Sequence, residues 1–131
     1  MADETYLIKI NEDNGRALVD IEGDLDTIKI RNTFIAIRFN EHWQRGDHSI
    51  LWRLEKASFP ESFEFGDIIT TNQLTRVVSP PCKSSIILNK KSHMIEMVAG
   101  FYKSIASDNV DRKIEIFFNY KDAVAWLNEN K

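Results

Sequence analysis

The sequence predicts an α/β fold in which helices pack against one mostly parallel sheet. Three observations support this class: a hairpin-like segment opens the chain, apolar strand-like runs then alternate with longer helix-like stretches, and the later strand-like runs contain continuous apolar stretches. Repeated strand–helix units form parallel sheets, and continuous apolar strands are covered on both faces. The predicted order is ββαβαβαβα in a mixed sheet, within a single domain of residues 1–131.

The predicted opening hairpin lies in residues 5–22. Asn14 and Gly15 separate its two strand-like runs, and both residue types tolerate the positive φ that tight hairpin turns require. Apolar side chains alternate along both runs, namely Tyr6, Ile8 and Ile10 in the first and Val19 and Ile21 in the second.

A helix of about 18 residues is predicted within residues 24–45, because neither Gly nor Pro interrupts this stretch. Asp24 and Asp26 can cap its start. Alternating β-branched residues also give the stretch strand character, but its length exceeds that of ordinary strands. Helical spacing joins four apolar side chains on one face: Ile28, Ile35, Phe39 and Trp43.

Further along the chain, strands are predicted in SILWRL, SSIILN and KIEIFF. A loop, EKASFPESFEFG, follows the first of them, and residues 67–78 are predicted to form a helix that ends before two prolines. Another helix is predicted from apolar residues at helical spacing, which are Met94, Met97, Val98, Phe101 and Ile105.

The closing stretch, KIEIFFNYKDAVAWLNENK, predicts a central or near-central strand followed by a helix that covers the sheet. Asn119 can accept hydrogen bonds from the first turn of this helix, and Asp122 lies beside the positive end of its dipole. Trp126 and Leu127 are therefore expected to be buried. The residues predicted to share one helix face are Tyr120, Ala123, Val124 and Leu127.

Composition excludes several classes of function. The net charge is −3 and the longest basic cluster is Lys90-Lys91, which is too little for a nucleic-acid-binding surface. Cys82 is the one cysteine, so no disulfide can form within the chain. The sequence shows neither a signal peptide nor a long apolar segment, and a cytoplasmic protein is expected.

The element order, the entry into the first helix at Gly23 and the stretch IEIFFNYKDAVAWL together resemble the STAS-like group called SpoIIAA-like proteins. Members characteristically end in a Phe-containing strand, a short Asx-bearing turn and a helix of the pattern A-x-x-W-L. That pattern runs here from Ala123 to Leu127. The resemblance implies a small intracellular bacterial domain that binds a partner protein or a ligand and has no enzymatic activity.

In the better-understood STAS members, the anti-sigma-factor antagonists, a kinase phosphorylates a serine at the start of the helix that follows a central strand. The resemblance implies a similar switch here, although no D-S-S-G-like tetrad follows ILWRL. Ser58 and Ser62 are the hydroxyls in the corresponding region, and a phosphate at Ser58 would add charge to a loop that already contains three glutamates. The alternative is that both are ordinary loop serines.

Three alternating aromatic residues in the same loop, Phe59, Phe63 and Phe65, form a second candidate site. Together with Trp43 they are predicted to line a surface for a partner protein, or an apolar groove between the loop and the first helix. The groove would suit a small apolar ligand or a lipid tail. The alternative is that these aromatic residues fill the edge of the core.

Neither a catalytic site nor a metal or cofactor site is predicted. The acidic series Asp20, Glu22, Asp24 and Asp26 lacks the glycine and glutamate positions of a calcium loop. The histidines are scattered in the sequence at His42, His48 and His93. A hydrolase using Cys82 or Ser58 is the third class considered, behind a binding module and an apolar-ligand carrier. A homodimer formed through the edge of the hairpin is also possible.

Overall fold

The computed structural model describes residues 5–58, 82–90 and 112–129, together with Thr70 and Ile95, which are both helical. The helices predicted over residues 67–78 and 94–105 otherwise lie outside the described residues. The strands are β1 Thr5–Ile10, β2 Ala17–Asp24, β3 Ser49–Ser58, β4 Cys82–Ile87 and β5 Arg112–Phe117. The described helices are α1 Thr27–Arg38, α2 Glu41–Arg45 and α3 Tyr120–Asn128.

One sheet of five strands forms the centre of the molecule, in the order β1-β2-β3-β4-β5. β1 is antiparallel to β2, and each later strand is parallel to its neighbour. The predicted α/β class, with an N-terminal hairpin joined to a mostly parallel mixed sheet, is therefore confirmed. The position predicted for the last strand is wrong, because β5 lies at an edge of the sheet.

The predicted hairpin is confirmed and owes its shape to the residues between β1 and β2. Gly15 has a φ of +74°, which glycine adopts readily. The amide of Gly15 donates to the carbonyl of Asn11 at 2.7 Å, and the amide of Asn11 donates to the carbonyl of Arg16 at 2.9 Å. Gly15 also lies directly against the backbone of Gly46, which fixes the hairpin turn beside the end of α2.

The two faces of the sheet carry separate apolar clusters. On the first face, one cluster joins side chains of α1 and α2 with side chains of all five strands, and the rings of Phe34 and Trp52 lie 5.4 Å apart. The second face is covered over part of its area by α3, through a smaller cluster made by Leu51, Ile87, Ala123 and Leu127. Strands β3 and β4 are therefore buried on both sides, as their continuous apolar runs predicted.

The first helical stretch differs from its prediction in two ways. It forms two helices, because α1 ends at Arg38 and the backbone of Asn40 is extended. The side chain of Asn40 then caps α2. The face that packs on the sheet contains Ile30, Phe34 and Ile37, whereas Ile28 is 54% exposed and Phe39 is 72% exposed. The predicted apolar face was thus the outward one, apart from Ile35, which is half-buried, and Trp43, which is buried on α2.

The final helix largely confirms its prediction. The side chain of Asn119 accepts from the amide of Asp122 at 2.8 Å, and Ala123 and Leu127 are buried against the sheet. Trp126 is half-buried, so the prediction of a buried Trp126 was too strong. Tyr120, in the first turn of the helix, is 55% exposed.

Polar side chains of β4 also hold α3 on the sheet. The Ser85 hydroxyl donates to the carbonyl of Ala123 at 2.8 Å, and the Lys83 ammonium donates to the carbonyls of Trp126 and Glu129 at 2.6 and 3.1 Å. At the same end of the helix, the Arg16 guanidinium donates to the side chain of Asn128.

Candidate functional site

The carboxyl ends of β2 and β3 project beyond the rest of the sheet. The pairing of β3 with β4 ends at Arg53 and Ile87, whereas the pairing of β3 with β2 continues to Asp24 and Ser58. A register shift between Asp20 and Glu22 accompanies this extension. Ser58 is consequently the last residue of the middle strand, and its predicted place in a loop is corrected.

The Ser58 side chain is exposed at this projecting end. Its hydroxyl donates to Oδ1 of Asp24 on the neighbouring strand at 3.4 Å, which is a long hydrogen bond. Its carbonyl oxygen accepts from the amide of Leu25 at 2.7 Å. Ser58 therefore lies beside the point at which the chain leaves β2 and begins α1.

The start of α1 places one charge of each sign near Ser58. Asp26 caps the helix by accepting from the amide of Lys29 at 2.8 Å. The Lys29 ammonium reaches back and donates to the backbone carbonyl of Asp24 at 2.5 Å. The Ser58 hydroxyl thus contacts the Asp24 carboxylate, and the Lys29 ammonium contacts the backbone of the same Asp24.

A shallow depression of about 80 Å³ lies on the second face of the sheet, between the same two strands. Its lining is entirely charged, and the side chains of Arg53 and Glu55 form an ion pair with 3.3 Å between Nε and Oε1. The depression is a different feature from the apolar groove predicted between the first helix and the loop, whose residues 59–66 lie outside the described residues. The residues that line it are Asp20, Glu22, Arg53, Glu55 and Lys56.

Comparison with known proteins finds similarity at the level of the fold. Neither the models of known protein families nor the curated proteins match this sequence. Among solved structures, the anti-sigma factor antagonist SpoIIAA in its unphosphorylated form aligns with a TM-score of 0.54 and 14% identity, over 96% of this chain and 100% of that chain. The chain has the SpoIIAA fold. The phosphorylated form of SpoIIAA, a Bacillus cell fate determinant, aligns with a TM-score of 0.48 and 17% identity, over 95% and 100% of the two chains.

Within the SpoIIAA fold, the structure describes only some of the predicted contact residues. Trp43 is 1% exposed, its Nε1 donates to the carbonyl of Ser49 at 3.1 Å, and its ring stacks on His48. Trp43 is therefore a core residue, and its predicted place on a contact surface is wrong. The other predicted site residues, Phe59, Ser62, Phe63 and Phe65, lie outside the described residues.

The acidic residues that resemble a cation loop do not converge. Asp26 caps α1 and Asp24 contacts Ser58, whereas Asp20 and Glu22 belong to the charged depression. Among residues 5–58, 82–90 and 112–129, no group of three or more potential ligands could hold a metal ion. Cys82 is buried, which removes its thiol from contact with a substrate in solution.

The sequence did not predict the neighbours of Ser58. Asp24 was expected to cap a helix, and Lys29 was not singled out. The position of Asp24 and Lys29 relative to Ser58 depends on the register between β2 and β3, which a single sequence does not specify. The one sequence signal for this register was Gly23, at the end of the second strand-like run.

Among the described helices, none is both long and apolar enough to cross a membrane.

Proposed function

We propose that this chain is a non-enzymatic regulatory module that binds a partner protein through the surface around the carboxyl ends of β2 and β3, and that modification of Ser58 controls the binding. The observation that carries the proposal is the exposed Ser58 hydroxyl at the end of the middle strand, in contact with the Asp24 carboxylate. The setting proposed for this activity is the bacterial cytoplasm.

The charges around Ser58 make phosphorylation an effective perturbation. A phosphoserine carries about −1.5 to −2 charges near neutral pH. Two unit charges at about 4 Å interact by roughly 1 to 4 kcal/mol between the dielectric limits of water and of a protein surface. The added phosphate would therefore repel the Asp24 carboxylate and draw the Lys29 ammonium away from the Asp24 carbonyl, which changes both the charge and the shape that a partner meets.

The similarity to SpoIIAA supports the same proposal. The solved SpoIIAA structures are described as an anti-sigma factor antagonist and as existing in unphosphorylated and phosphorylated forms. A protein-binding role controlled by phosphate is therefore compatible with this fold. The alternative from the sequence, a carrier of a small apolar ligand near residues 55–66, stays a prediction, because residues 59–66 lie outside the described residues.

Affinity purification from the source cells tests the proposal. We expect a partner protein to be retained by the unmodified chain and by Ser58→Ala, and to be reduced at least about tenfold by Ser58→Asp, as quantified by mass spectrometry. Ala125→Asp is the matched control, because it adds the same charge at an exposed position of α3. Equal recovery of every partner by Ser58→Asp and Ala125→Asp would refute the switch.

A further inference from the structure

Helix α1 has apolar side chains on two opposite faces. Ile30, Phe34 and Ile37 pack on the sheet, so the helix is already anchored without its outward residues. The outward face carries an apolar stripe, called here the α1 stripe, in which Ile28 is 54% and Phe39 is 72% exposed. The residues of the α1 stripe are the exposed Ile28, Ala36 and Phe39 together with Ile35, which is half-buried, and their spacing places them along one side of three helical turns.

The charges of α1 have one sign. Lys29, Arg31 and Arg38 lie in the helix and no carboxylate does, although the whole chain has a net charge of −3. The Arg31 Nη2 donates to Oδ1 of Asn32 at 3.2 Å, which places this guanidinium beside the outward face. The Arg38 guanidinium carbon lies 5.8 Å from the ring centre of Phe39. Cations therefore border the α1 stripe.

We propose that the α1 stripe binds an acidic amphipathic helix of a partner protein. The proposal rests on the proposed function, because it names the chemistry of the partner that the Ser58 surface would control. The two surfaces are continuous, since α1 begins beside Ser58 and the amide of Leu25 donates to the Ser58 carbonyl at 2.7 Å. A partner that covers the stripe would extend past Ile28 to the modified residue.

Both the charge and the shape of the α1 stripe favour an acidic amphipathic helix as the partner. The stripe from Ile28 to Phe39 is about 16 Å long at 1.5 Å per residue, which matches three turns of a partner helix packed alongside α1. Apolar anchors at i, i+3 or i+4 and i+7 would cover the stripe. Acidic residues on both sides of those anchors would meet the cations that border it, and such pairs accelerate association and fix the register.

Other occupants fit the observations less well. A second copy bound by its own α1 stripe would bring two sets of three cations together without a carboxylate in either helix. A lipid surface would bury Asn32, which lies in the middle of the outward face, where the acyl region offers its amide no hydrogen-bond partner. A protein helix can supply such a partner. Nucleic acid would leave Ile28 and Phe39 without apolar contact.

Photocrosslinking tests which occupant binds. A benzophenone amino acid placed at position 39 of the full chain, irradiated in the source cells, should yield an adduct with a protein segment that is acidic and has apolar residues at helical spacing. The same amino acid at position 120 is the matched control, because Tyr120 is an aromatic residue 55% exposed on α3. An adduct with lipid, with nucleic acid or with a second copy of the chain would overturn the inference, and so would adducts no stronger than those at position 120.

A synthetic peptide of the crosslinked segment then gives the affinity. We expect Phe39→Ala to weaken peptide binding at least about tenfold. Arg38→Glu should also weaken the binding and make the affinity depend less on salt concentration, while Tyr120→Ala leaves the affinity unchanged. Thermal unfolding checks that each variant is folded. If Phe39→Ala leaves peptide binding unchanged, the inference is refuted. The proposed function would still stand if Ser58→Asp abolished the binding. Binding lost in Phe39→Ala but retained in Ser58→Asp supports the docking surface and refutes the switch.

Discussion

Replacing Leu127 by alanine gives a direct measure of how far α3 contributes to stability. Leu127 is 2% exposed and packs in the cluster with Leu51, Ile87 and Ala123. A helix of nine residues has little stability alone, so α3 depends on this packing. Truncating a buried leucine removes its transfer free energy and leaves a cavity, which together cost about 3 kcal/mol.

The size of the chain converts this loss into a change of melting temperature. An unfolding entropy of about 2.1 cal/mol/K per residue gives roughly 0.28 kcal/mol/K for 131 residues. A loss of about 3 kcal/mol in the free energy of unfolding therefore corresponds to a melting temperature lower by about 11 °C.

Urea unfolding followed by circular dichroism and tryptophan fluorescence measures the free energy of unfolding directly. Lys121→Ala is the matched control, because Lys121 is exposed on the same helix and its replacement should change stability by less than about 0.5 kcal/mol. If Leu127→Ala costs no more than this control, the Leu127 side chain is not packed against Leu51 and Ile87, and α3 does not cover its part of the second face of the sheet.

Three further substitutions test other contacts, each by urea unfolding. Gly46→Ala should lower the free energy of unfolding by about 2 kcal/mol or more, because a Cβ there collides with the backbone carbonyl of Asn14; an effect below 0.5 kcal/mol would contradict the close approach. Trp43→Phe should cost about 1 to 3 kcal/mol, since it leaves the Ser49 carbonyl without its indole donor, and a neutral result would count against that bond. Ser85→Ala removes the buried hydroxyl that donates to a carbonyl of α3 and should cost about 1 kcal/mol, whereas a gain in stability would show that the bond contributes nothing.

Local sequence signals predicted the fold class well. The turn at Asn14 and Gly15 and the cap at Asn119 are both present in the structure, because each depends on a few adjacent residues with strong conformational preferences. The apolar runs of β3 and β4 predicted strands buried on both faces for the same reason. These features need no knowledge of distant contacts.

Features that depend on distant contacts were predicted less well. Helix α1 has apolar residues on both faces, so periodicity alone could not distinguish the buried Ile30 and Ile37 from the exposed Ile28 and Phe39. β5 resembles a central strand because α3 covers one of its faces, with Phe117 against Trp126, although it is the outermost of the described strands on its side of the sheet. The end of β3 at Ser58 was missed because its last residues are partly polar and pair only with β2 among the described strands.

The strand order has a consequence for synthesis of the chain. Neighbours in the sheet are also neighbours in sequence, from β1 to β5, so each strand emerging from a ribosome meets a partner that has already been made. The sheet can therefore assemble from β1 towards β5. Each new pairing closes only the loop formed by the connection between two successive strands. The second face gains α3 only after β5 has emerged, so until then Leu51 and Ile87 lack their packing against Ala123 and Leu127. During that interval the nascent chain exposes an apolar surface that a chaperone could bind.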